Sequence, residues 1–114
     1  MFKFERLIAW QQSIELFEEI AEIADAIPNS YQSSVSDQIR RSCLSISANI
    51  AEATGRESSK ERKYYFNVAK GSFYETVSLL HIIKSRQHIN DHIFSSLYRK
   101  CDEIAKMLYG LSSN

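Results

Sequence analysis

Proline occurs once in the chain, at Pro28, and glycine three times, at Gly55, Gly71 and Gly110. Tight turns draw heavily on these two residues, so their scarcity excludes a strand-rich fold and favours long helices with short connections. Cysteine is confined to Cys43 and Cys101, too few for a disulfide scaffold; two reduced, buried thiols in a cytoplasmic protein are the expectation. Long apolar runs are also missing. Nothing approaches the roughly 20 residues that cross a bilayer, and Lys3, Glu5 and Arg6 interrupt "MFKFERLIAW" before the apolar core of a secretion signal develops. Nor is there an excess of one charge: 14 Lys and Arg balance 14 Asp and Glu, which removes the general electrostatic reason for tight nucleic-acid binding.

What is present describes one soluble domain spanning residues 1–114. With 44% hydrophobic and 25% charged residues, a chain of this length buries a core without metal or disulfide help. The charge is unevenly spread. Lys3 and Arg6 face Glu5, Glu15, Glu18, Glu19, Glu22 and Asp25 in the first 30 residues, whereas residues 37–70 hold seven basic and four acidic side chains.

Apolar periodicity predicts four helices. The first runs from about Glu5 to Ile27 and stops at Pro28, with a seam of Leu7, Trp10, Ile14, Phe17, Ala21 and Ala24. A second stripe of Leu16, Ile20, Ile23 and Ile27 lies beside it. "PNSYQSSVS" reads as a loop, with Ser34 or Ser36 as a cap for a second helix from about Asp37 to Thr54, closed by Gly55. That helix carries a core stripe of Ile39, Cys43, Ile46 and Ile50. Ser58 and Glu61 form a capping box for a third helix reaching about Ser85, roughly 40 Å long. It has two apolar-containing faces, one with Phe66, Ala69, Phe73, Val77 and Leu80, the other with Tyr65, Val68, Ser72, Glu75, Leu79 and Ile82. Asn90 caps a fourth helix built on Ile93, Leu97, Cys101, Ile104, Leu108 and Leu111, with Gly110 disturbing its end. Short links between long helices give antiparallel neighbours, hence an all-α, up-down-up-down four-helix bundle.

Opposite the core stripe of the second helix, Arg41, Ser45, Asn49, Glu52 and Arg56 line up at spacings of four, four, three and four. A solvated stripe normally avoids Ser and Asn, which compete for backbone hydrogen bonds. Three readings stay open: a solvated face, a packing surface against the third helix or another subunit, and a ligand contact. Counting back from the turn near Gly55 puts Arg41 level with Ser72 to Glu75, so an Arg41–Glu75 ion pair is expected within the chain or between copies. Gly71 and Ser72 add a close-contact patch. Arg56, Lys60, Arg62 and Lys63, interleaved with Tyr64 and Tyr65, form a candidate nucleic-acid contact diluted by Glu57 and Glu61, for which a solvated helix start is the competing reading.

"QIRRSCLSISANIAEATGR" followed by "FNVAKGSFYE" resembles the 23S rRNA intervening-sequence protein family, through Arg41, Ser45, Ile46, Asn49, Ile50, Ala51, Glu52, Arg56, Ala69, Gly71, Ser72 and Glu75. Ala53 departs from the glycine usual there. The resemblance implies a left-handed antiparallel bundle assembling into a homo-oligomeric ring, a pentamer by expectation. A more distant similarity, to the accessory proteins of diversity-generating retroelements, implies RNA, DNA or a nucleic-acid-processing protein as partner.

Catalysis finds little support. There is no Gly-rich phosphate loop, nucleophile elbow or carboxylate pair set in a cleft. His88 and His92 are four apart around Asp91, but a cap at Asn90 takes them off one continuous helix. The expectation is a non-enzyme without cofactor or metal, acting as an interaction or scaffold module; a purely structural assembly without nucleic-acid affinity is the alternative.

Overall fold

The computed structural model describes residues 1–112, with the side chains of residues 29–34 excepted. Four helices follow a short 3-10 helix at Lys3–Arg6: α1 (Ile8–Ala26), α2 (Asn29–Thr54), α3 (Ser59–Ser85) and α4 (Asp91–Ser112). Each packs on the next and α4 closes on α1, giving a four-helix bundle of 45 × 23 × 23 Å. Side-chain pairs fix the antiparallel sense. Ser42 meets Thr76 and Ser45 meets Ser72 across α2 and α3; Lys70 lies over Tyr109 and Lys84 over Phe94 across α3 and α4.

The first helix begins later than its apolar pattern suggests. Leu7 is extended at φ −77° and ψ 125°, which separates the 3-10 turn from α1. The turn still folds onto the bundle, since Gln11 Nε2 donates to the Glu5 carbonyl at 2.8 Å and Phe4 packs against Trp10. Within α1 the fully buried stripe is Ala9, Ser13, Leu16, Ile20 and Ala24, while Trp10, Ile14, Phe17 and Ala21 are half-buried on its flank. The second expected stripe is thus the deeper one. Ser13 joins it because its hydroxyl donates to the Trp10 carbonyl at 2.6 Å, which removes the cost of burying it.

The second helix begins eight residues before the expected Asp37, directly after Pro28, whose φ of −59° suits a helix start. "NSYQSSVS" is therefore helical backbone and not a loop. Ser36 is buried inside the helix and is no cap; the side chain of Ser34 lies outside the described residues. The expected core stripe holds, with Ile39, Cys43, Ile46 and Ile50 all wholly buried and Ala53 added below them. Gly55 ends α2 with ordinary right-handed angles, φ −86° and ψ −4°, so Ala53 in place of glycine leaves the turn intact.

Ser58 caps α3 by accepting a hydrogen bond from the Glu61 amide at 3.0 Å, and Asn90 caps α4 through the Ile93 amide at 2.8 Å. Between them α3 ends in a Schellman motif: the Gln87 amide donates to the Lys84 carbonyl and the His88 amide to that of Ile83. Gln87 takes φ 64° to close it. On α4, Phe94 rather than Ile93 enters the core, and the helix runs through Gly110 to Ser112. No helix among the described residues is long and apolar enough to cross a membrane.

Candidate functional site

The polar stripe of α2 turns toward α3 and divides along its length. Ser72 Oγ donates to Ser45 Oγ at 2.8 Å, and Asn49 Nδ2 reaches both the Ser45 hydroxyl and its carbonyl. One step deeper, the buried hydroxyls of Ser42 and Thr76 lie 2.9 Å apart. Small hydroxyl side chains let α2 and α3 approach closely, and among the described residues every buried side-chain nitrogen and oxygen finds a partner. Of the stripe, Ser45 and Asn49 are half-buried packing groups; Arg41 and Glu52 are exposed.

The Arg41–Glu75 pair does not form within the chain. Gln38 Nε2 donates to Glu75 Oε2 at 3.1 Å instead, because Gln38 lies one turn before Arg41 on the side of α2 that faces α3. Arg41 projects outward from the adjoining surface.

Around this seam lies an exposed, partly apolar surface. Ala48 on α2 and Tyr64, Val68, Gly71 and Ile82 on α3 recur at helical spacing beside Arg41, Glu52 and Glu75, and Leu44, 53% exposed, borders them. Gly71 sits in open space: a Cβ placed there would meet nothing within 4 Å. The close-contact patch read from Gly71 and Ser72 is therefore split, since Ser72 faces α2 and Gly71 faces outward.

The basic cluster at the α2–α3 turn is divided as well. Arg56 Nη2 donates to Glu52 Oε2 at 2.8 Å and to the Tyr65 hydroxyl at 3.2 Å, with its guanidinium 4.8 Å above the Tyr65 ring. The Glu52 hydrogen bond, then the nearby Tyr65 and Glu61, hold it above its ordinary pKa. Arg62 donates to the carbonyls of Arg56 and Glu57 and so braces the turn. Lys60 and Lys63 stay exposed. Two of the four cations thus serve the fold, and two face solvent.

A second surface escaped the sequence reading. Between α3 and α4 runs a groove of about 650 Å³, with Val77 and Cys101 toward its floor and Tyr74, Tyr98, His81 and Asp102 on its rim. Lys70 crosses to lie 5.4 Å over the Tyr109 ring. Its signal was the spacing of Lys63, Lys70 and Tyr74 on one helix and of Tyr98, Asp102 and Tyr109 on the other, which gains meaning only when the two stripes are set side by side.

Cys43 and Cys101 are buried free thiols. Burial, and for Cys43 also the nearby Cys101, pushes both up to about 12, which makes them poor nucleophiles. Among the described residues no group of three His, Cys, Asp or Glu side chains is gathered as for a metal ion.

Residues 5–110 match the model of a family described as 23S rRNA-intervening sequence protein. The bundle is similar to the crystal structure of a protein with unknown function from the S23 ribosomal protein family of Bacteroides thetaiotaomicron, with a TM-score of 0.86 and 25% identity, covering 94% of this chain and all of that one. No curated protein matches the sequence.

Proposed function

The chain belongs to the 23S rRNA-intervening sequence protein family, and from that premise we propose that it is a non-enzymatic module that assembles with copies of itself through the outward face of α2 and α3. The observation that carries this is the combination of exposed Ala48, Val68, Tyr64 and Ile82 with the open Gly71, framed by Arg41 and Glu75. A monomer gains nothing by exposing these apolar side chains, whereas a second copy buries them and supplies Glu75 with the arginine it lacks within the chain. Ser45, Asn49 and Ser72 support the face from behind, and Glu52 lies at its edge. A closed ring, with five subunits as the expected form, follows from a heterologous contact whose rotation closes. The exposed Lys60 and Lys63, beside Arg56 and Arg62, give the assembly a basic end that nucleic acid or a nucleic-acid-processing protein would meet.

Gly71→Arg tests the assembly cleanly. A Cβ at this position meets nothing within 4 Å, and replacing a mid-helix glycine favours α3 by about 0.5–1 kcal/mol. The melting temperature should hold or rise while the mass by light scattering falls toward the 13.2 kDa of one chain. An unchanged mass sinks the proposed face. Gel shifts with structured RNA and with DNA across a salt series separate the nucleic-acid reading from a purely structural assembly, since phosphate contacts weaken as salt rises.

A further inference from the structure

We propose that the α3–α4 groove is a binding site for single-stranded nucleic acid, with bases stacking on Tyr74, Tyr98 and Tyr109 and phosphates held by Lys63 and Lys70. This rests on the nucleic-acid reading above, narrows it to single strands, and moves the contact from the α2–α3 turn to the flank of the bundle.

The aromatic content of this flank is the first argument. Tyr74, Tyr98 and Tyr109 are 74%, 47% and 67% exposed, although large aromatic side chains are normally highly buried. Tyr98 is held upright by ring contacts with Phe94 and His81 at 5.8 and 6.5 Å. Tyr109 is eleven residues further along α4, about 16 Å, and Tyr74 stands on the facing helix between them. The three rings form a spaced row of partly open π faces, which is what successive unstacked bases require and what a paired duplex does not present.

Charge supplies the second argument. Asp102 lines the groove, Lys63 and Lys70 lie on the same side of α3 as Tyr74, and Lys106 follows Asp102 by one turn of α4; Lys84 and Asp91 line the adjoining pocket at the α3–α4 turn. Lys84 pairs with Asp91 at 3.6 Å and Lys106 with Asp102 at 3.0 Å. Among the described residues Lys63 and Lys70 have no carboxylate within 4 Å, and Lys70 stacks on Tyr109 instead. A cation on one side of a ring that is otherwise exposed is a pairing a nucleotide can use, phosphate on the cation and base on the free side of the ring. The exposed face of α1 carries Glu15, Glu18 and Glu22 instead, so it lacks the combination of unpaired lysines and exposed aromatics found on the α3–α4 flank.

The test is fluorescence anisotropy of the full-length protein with a labelled single-stranded RNA of about 12 nucleotides, and with the same strand annealed to its complement. Binding of the single strand should exceed that of the duplex, with a slope of about −1.4 in log affinity against log salt for two phosphates. Tyr109→Ala and Tyr74→Ala should each weaken binding roughly tenfold, while Tyr109→Phe, which keeps the ring, should bind as the parent does. Lys70→Gln should flatten the salt slope by about 0.7. Because both tyrosines are exposed, their variants should keep the parent's melting temperature. Binding that survives Tyr74→Ala and Tyr109→Ala but is lost in Lys60→Gln overturns the groove and leaves the turn-end reading standing. No binding of any RNA or DNA overturns both. A fall in oligomer mass in the tyrosine variants would place a neighbouring subunit on this flank, which also overturns the proposal.

Discussion

The two inward sides of α2 are built from different materials. Toward the bundle axis, Ile39, Cys43, Ile46, Ile50 and Ala53 are wholly buried and apolar; toward α3, Ser42, Ser45 and Asn49 meet Ser72 and Thr76 through hydroxyl and amide hydrogen bonds. The apolar stripe supplies burial, which is non-directional and tolerates sliding. The hydroxyl seam contributes less energy but has one register in which every donor finds an acceptor. Burial makes the four helices cohere, and the seam decides how α2 and α3 align, and with them the outward residues Arg41, Ala48, Gly71 and Glu75.

The largest effect should come from cutting the apolar side. Ile46→Ala removes a wholly buried side chain from a closed core and should cost about 2–5 kcal/mol in urea unfolding, enough to unfold much of a small domain. Loss of less than about 1 kcal/mol would mean that the site collapses freely and that this stripe is not the structural centre.

Next in size is a pH effect on the same side. Cys43 and Cys101 are raised from the ordinary 9.0 to about 12 by burial. Below about pH 9 both folded and unfolded chains hold these protons, and the thiols contribute their full stability. Between about 9 and 12 the unfolded chain releases them while the folded chain does not, so stability falls as pH rises. The slope is at most about 1.4 kcal/mol per pH unit for each thiol. Comparing unfolding at pH 8 and pH 10 in the parent and in Cys43→Ala/Cys101→Ala isolates this term, since other groups titrate in both. Equal pH dependence in the two proteins would show that the thiols ionise in the fold.

The core side of this comparison was legible in the sequence and the seam only in part. Ile39, Cys43, Ile46 and Ile50 announce themselves by spacing, as do the caps at Ser58 and Asn90. The start of α2 did not, because Asn and Ser have weak helix preference and tertiary packing of Val35 and Ile39 overrides it. Turn residues misled in both directions: Gly55 sits in a conformation any residue adopts, while the left-handed position belongs to Gln87. The sequence leaves three readings of the polar stripe open; in the fold Ser45 and Ser72 meet one another across α2 and α3, whereas within the chain Glu75 accepts from Gln38 and not from Arg41. Distance from the turn gives height along the bundle but not the angle around each helix, and a single helical step exchanges one candidate for another. The α3–α4 groove was hidden for the same reason, since neither stripe means much until its angle to the other is known.

The smallest effect sharpens the seam side. Thr76 and Ser42 are both buried, with hydroxyls 2.9 Å apart, and Ser42 Oγ also donates to the Ile39 carbonyl at 3.2 Å. The Ser42 proton is then committed to the backbone, and Thr76 is the donor in the pair. Thr76→Val keeps the shape and removes that donor, so it should cost about 1 kcal/mol; Ser42→Ala leaves the Thr76 hydroxyl buried with no acceptor and should cost somewhat more, within about 1–3 kcal/mol. In the double variant no polar group is stranded, and the total loss should be smaller than the sum of the two single losses. A double-mutant cycle in urea measures the difference. Additive losses would mean the two hydroxyls do not sense one another, and the register of α2 on α3 would then have to be set by Ser45 and Ser72 alone.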